Sequence, residues 1–131
     1  MKIDIEFDKL KETILLAAQV QGLSKDELLN NWCINYKRNQ DEKFKSTLEK
    51  LDENIKLLHQ SLEQKDMLVA KVAIVRAKVY SHDLMNFFEN INDDIDQLGW
   101  GDELKDKWPT IPEDYRVPDH YDYADANKPY E

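Results

Sequence analysis

Few side chains in this sequence have the type and spacing to do chemistry. His59, His82 and His120 lie far apart, at no spacing that a metal site or proton relay uses. His82 is followed by Asp83, but neighbours one apart on a helix point in different directions. The one cysteine, Cys33, sits between Trp32 and Ile34 with no base beside it, and reads as a core thiol. Glycine occurs only at 22, 99 and 101, so no Gly-rich loop can cradle a phosphate. Asn92, Asp94, Asp96 and Glu103 fall at positions 1, 3, 5 and 12 of a calcium loop. Gln97, however, occupies the position that needs glycine for the sharp turn. Asp119, His120, Asp122 and Asp125 are a second, weaker metal candidate on an irregular stretch. The expectation is a protein that is not an enzyme, with no catalytic residue, no metal and no cofactor.

Binding chemistry is better represented, and it gathers in residues 99–131. That segment holds all four prolines and six of the thirteen aromatics. Residues 85–131 carry 13 acidic and 4 basic residues, and 4 − 13 gives the −9 of the whole chain; residues 1–84 are formally neutral. Aromatic anchors on an acidic strand stiffened by proline suit docking on a basic protein surface. The residues expected to bind that partner are Trp100, Trp108, Tyr115, Tyr121 and Tyr123, with Asp114, Asp119 and Asp122. Trp100 and Trp108 are expected to pack on the parent helices, leaving Tyr115 to Tyr130 for the partner.

The elements that must position this tail are mostly helical. Residues 2–7, KIDIEF, alternate strictly between apolar and charged, which predicts a short strand with Ile3, Ile5 and Phe7 on one side. No second strand of similar quality follows, so its pairing partner would come from another copy, and a homodimer is expected. Residues 8–21 read as a helix with Asp8 a candidate N-cap and Gly22 a left-handed stop. Ser24 and Glu27 form a capping-box pattern that opens a second helix through about Arg38. Phe44, Leu48, Leu51, Ile55, Leu58 and Leu62 then follow a coiled-coil spacing. Leu68, Val72, Val75 and Val79 make a similar stripe beyond a phase slip at residues 63–66. The slip fits one long helix with a stutter or a hairpin, and ordinary helix lengths favour the hairpin. The fold class expected is mostly α: a short N-terminal strand, a helical hairpin, long coiled-coil or bundle helices, and an irregular acidic tail. The divisions fall at 1–38, 39–91 and 92–131.

The order strand, helix, GLSKDELL, helix over residues 2–38 resembles the ribbon–helix–helix family. The resemblance implies an intertwined dimer whose strands pair antiparallel, here through Ile3, Ile5 and Phe7, with Trp32 on the second helix. It also implies outward strand side chains at Lys2, Asp4 and Glu6 facing DNA, and a phosphate held near Ser24 and Lys25. Two of those three readout positions are acidic, which disfavours DNA. Some members of that family add a C-terminal segment that wraps a protein, as antitoxins do, and others add helices, as plasmid mobilisation accessories do.

Three functions follow as expectations. The first is a regulatory or accessory protein of antitoxin or mobilisation type that dimerises and binds a protein through its tail. The second is an acidic inhibitor or DNA mimic of phage or mobile-element origin, directed at a nucleic-acid-binding defence complex. The third is a helical scaffold subunit. One cysteine, a start without a basic-then-apolar leader and a most apolar window of only nine residues, interrupted by Lys71, predict a cytoplasmic protein with no membrane association.

Overall fold

The computed structural model describes residues 5–123, and among these it contains four α-helices and no strand. They are α1 (Phe7–Val20), α2 (Lys25–Asn31), α3 (Gln40–Glu63) and α4 (Met67–Trp100), followed by a 3-10 turn at Asp119–Tyr121. The expected strand is corrected at its described end. Glu6 is extended, but Phe7 begins α1. Its amide and that of Asp8 donate to the Asp41 carboxylate at 2.6 and 3.3 Å, and its ring enters a cluster with Phe44, Phe87 and Phe88. Lys2, Ile3 and Asp4 lie outside the described residues.

Asp8 does not cap its own helix. It accepts from the Gln40 and Asp41 amides at 2.7 and 3.3 Å, so α1 and α3 exchange carboxylates across their N-termini. Each aspartate satisfies orphan N–H groups of the other helix and sits at the positive end of its dipole. Burial alone would push the Asp8 carboxyl up. The Gln40 amide, the Lys11 ammonium at 3.2 Å and Asp41 outweigh burial and hold it below the usual value.

Gly22 ends α1 with φ of 100°, and the Gly22 and Leu23 amides bond back to Gln19 and Ala18. Ser24 then caps α2, accepting from Glu27 N at 3.2 Å. This helix stops at Asn31 rather than near Arg38. The reason is Asp94 of α4, which takes the amides of Cys33 and Ile34 and so holds the following segment out of helical form. Ile14, Ala18, Leu28, Ile34 and Tyr36 make the main core, with Trp32, Ile91 and Leu98 packed against it. That core lies at one end of the molecule, on the C-terminal half of α4.

From there α3 and α4 run out as an antiparallel hairpin. Its turn repeats the Gly22 pattern without glycine. Lys65 adopts φ of 55°, the Lys65 and Asp66 amides reach back to Leu62 and Ser61, and Asp66 caps α4 through Val69 N. The heptad phase differs from that expected. On α3 the buried or half-buried row runs Gln40, Phe44, Thr47, Leu51, Asn54, Leu58, Ser61. On α4 the inward row is Ala70, Ala73, Ala77, Tyr80, Leu84 and Phe87. The inner polar groups are satisfied locally: Thr47, Asn54 and Ser61 donate to carbonyls of their own helix, and Gln40 donates to Asn35 O. Leu48, Ile55 and Leu62 are left outside, as are Leu68, Val72, Val75 and Val79. Asp41 explains the rotation of α3. It lies seven residues before Leu48 in the same row, and its duty at the α1 N-terminus turns that row toward α1 rather than α4.

Candidate protein-interaction site

Asp94 anchors the surroundings of the C-terminal segment. It is 1% exposed and accepts from Cys33 N, Ile34 N and Tyr36 Oη at 2.8, 2.8 and 2.7 Å. Three donors on one buried carboxylate offset its desolvation without a cationic partner. Burial, and then the Asp94 carboxylate, push the Tyr36 phenol well above its usual value, so Tyr36 stays a donor. Cys33 is exposed rather than in the core. Partial desolvation, then Asp94, Asp93 and Glu89, push its thiol up, away from the reactive thiolate. Asn92, Asp94 and Asp96 are helical, so the calcium-loop spacing is not a loop, and Asp94 is already occupied by donors. Among the described residues no cluster of three His, Cys, Asp or Glu is arranged to hold a metal ion. His59 pairs with Glu63 at 2.7 Å on the open surface of α3, and His120 stacks on Tyr121 with ring centroids 4.3 Å apart.

After α4 the chain folds back and is pinned at three points. Leu104 is fully buried, Trp108 Nε1 donates to Leu98 O at 2.7 Å, and Lys107 Nζ reaches Gln21 O at 2.8 Å. The last contact sets a cation on the negative end of α1. Beyond these pins the backbone continues by turns that begin at proline: Tyr115 N bonds to Pro112 O, and Tyr121 N to Pro118 O. Asp114 and Asp122 take the left-handed conformation at these bends, with φ of 60° and 52°, so both shape the backbone as well as carrying charge.

The expected division of the two tryptophans holds for Trp108 alone. Trp100 is 69% exposed and borders a shallow groove with Lys105, Trp108, Pro109 and Ile111. Tyr115, Tyr121 and Tyr123 are also exposed, as are Asp114, Asp119 and Asp122. Comparison with protein-family models, with curated proteins and with solved structures finds no match for this chain. Asp125 and Tyr130 lie outside the described residues. The residues tied to dimerisation and DNA by the N-terminal pattern are dispersed. Ile5 is exposed, Phe7 is buried among phenylalanines of its own chain, and Trp32 is half-buried on the core. Ser24 is engaged as the α2 cap, and Lys25 is exposed at the start of that seven-residue helix.

Two features of this region carried no clear sequence signal. Leu104 is an isolated leucine in a charged stretch, and Asp94 is one aspartate among several. Only the helical register Phe87, Ile91, Asp94, Leu98 marks Asp94 as inward-facing. No helix among the described residues is long and apolar enough to cross a membrane.

Proposed function

We propose that this chain is a non-enzymatic accessory or regulatory protein that holds a partner protein with a basic surface on its C-terminal segment. The observation that carries this reading is Trp100, a large aromatic left in water on a segment pinned by Leu104 and Trp108 on its C-terminal side. A preorganised backbone loses little entropy when it docks, and exposed tryptophan and tyrosine are the side chains most often found at the energetic centre of interfaces. Ile111 lines the same groove as Trp100; Tyr115, Tyr121 and Tyr123 are exposed farther along the segment, and the carboxylates between them supply charge complementary to lysine and arginine. The confinement of the whole −9 to residues 85–131 favours a second reading, an acidic inhibitor that occupies a groove built for phosphate.

Affinity capture from the native host tests the proposal, using the full chain and a Trp100→Ala/Tyr115→Ala/Tyr121→Ala variant. These side chains are exposed, so the variant keeps the fold. A basic protein retained by the wild type and lost by the variant supports partner binding, and displacement of that protein by duplex DNA favours the inhibitor reading. Equal capture by both chains contradicts the assignment of this surface.

A further inference from the structure

We infer that the outer half of the α3–α4 hairpin is a self-association surface on which a second copy of this chain packs antiparallel to form a four-helix bundle. Two rows define the face. On α3, Asp41, Leu48, Ile55 and Leu62 recur every seven residues; on α4, Met67, Ile74, Ser81 and Phe88 do the same. Both rows begin where α1 lands, because Asp41 accepts from Phe7 N and the Phe88 ring lies 5.9 Å from that of Phe7. From that point they run side by side toward the turn. Leu48, Ile55, Leu62, Met67 and Ile74 are exposed, each at 45–57%. Among the described helices only α1 packs on the hairpin.

Size, charge and shape point to a second copy. Residues 48 to 62 and their counterparts on α4 span about 25 Å by about 20 Å, on the order of 500 Å² per copy. Two such faces bury about 1,000 Å², which reaches the lower bound of a specific interface, and each copy's share lies in the upper part of the range for the largest apolar patch on a monomer. Residues 40–84 hold eight acidic and eight basic side chains, and 8 − 8 leaves the hairpin as a whole without net charge, so two hairpins do not repel as the acidic ends would. Antiparallel packing also sends the two acidic ends, residues 85–131 of each chain, to opposite extremes. Finally, α1 thickens only the base of the face. A parallel pair would force two α1 helices into one layer, whereas in an antiparallel pair each α1 abuts the other copy's turn. Two hairpins related this way give the layered bundle that a single hairpin lacks. The stripe Leu68, Val72, Val75 and Val79 on the outer side of α4 is one helix wide and too small to act alone.

The inference does not depend on the partner of the C-terminal segment. Light scattering on the full chain between about 1 and about 100 μM tests it. The wild type should rise from the 15.5 kDa monomer toward twice that mass. Ile55→Lys and Ile74→Lys should each weaken association at least tenfold with unchanged helical circular dichroism, while Val75→Lys should leave it intact. In a Cys33→Ser background, Ile55→Cys should oxidise to a covalent dimer and Leu62→Cys should not. A monomer throughout, or a dimer that Val75→Lys dissolves and Ile55→Lys does not, overturns the proposal. Cross-linking through Leu62→Cys instead of Ile55→Cys overturns the antiparallel arrangement.

Discussion

Two aspartates fasten separate parts of the fold, and they do so in different ways. Asp94 binds three donors from residues 33–36 inside a low-dielectric region, so Asp94→Asn replaces an acceptor oxygen with a donor facing N–H or O–H groups. A loss of about 2–4 kcal/mol follows from unsatisfied buried groups. It should appear as a lower urea midpoint with an unchanged denaturant slope. Asp8 provides a pH signature. Its carboxyl is held lower in the folded chain than in the unfolded one, so the stability it adds is complete above the unfolded value near pH 3.8 and is lost as pH falls through the folded value. The acid limb of a stability–pH curve should therefore flatten in Asp8→Asn. Neither role could be read from residue type. Asp8 had the position of a cap for its own helix, and only the approach of α3 made it the cap of another.

At the scale of elements, the local code was legible wherever one segment decides its own form. Gly22 and Ser24 mark the α1 stop and the α2 start because turn geometry and capping are local. The hairpin turn lacks glycine, and Lys65 bears the left-handed strain instead. Lys65→Gly should raise stability by about 1 kcal/mol, visible as an increased Tm, because the positive φ costs glycine little. The end of α2 and the rotation of α3 were not legible. Asp94 sets the first from 61 residues beyond Cys33, the bond between Asp41 and Phe7 sets the second across 34 residues, and heptad spacing gives a period without naming the face that turns inward. Alanine lines the inner side of the first half of α4, while leucine and valine lie outside. That arrangement inverts the usual core preference and makes sense when further layers cover the hairpin.

For the whole molecule, the sequence separated a helical body from an acidic aromatic end, and the structure adds that this end is fastened at Leu104, Lys107 and Trp108. Removing everything from residue 99 would therefore remove part of the core and unfold the C-terminal half of α4. Point changes at exposed aromatics separate binding from stability more cleanly. If α3 and α4 carry the proposed self-association and the C-terminal segment the proposed recognition, the two should depend oppositely on salt. Apolar pairing of hairpins should persist or strengthen as salt rises, whereas attraction between carboxylates and a basic partner should fade. The most direct test is the affinity of the captured partner for the full chain and for Trp100→Ala, titrated at low and at high NaCl. We expect wild-type binding to weaken about tenfold or more as salt rises, and Trp100→Ala to cost at least a further tenfold at either salt concentration. Binding that ignores both salt and Trp100 would contradict recognition through this segment.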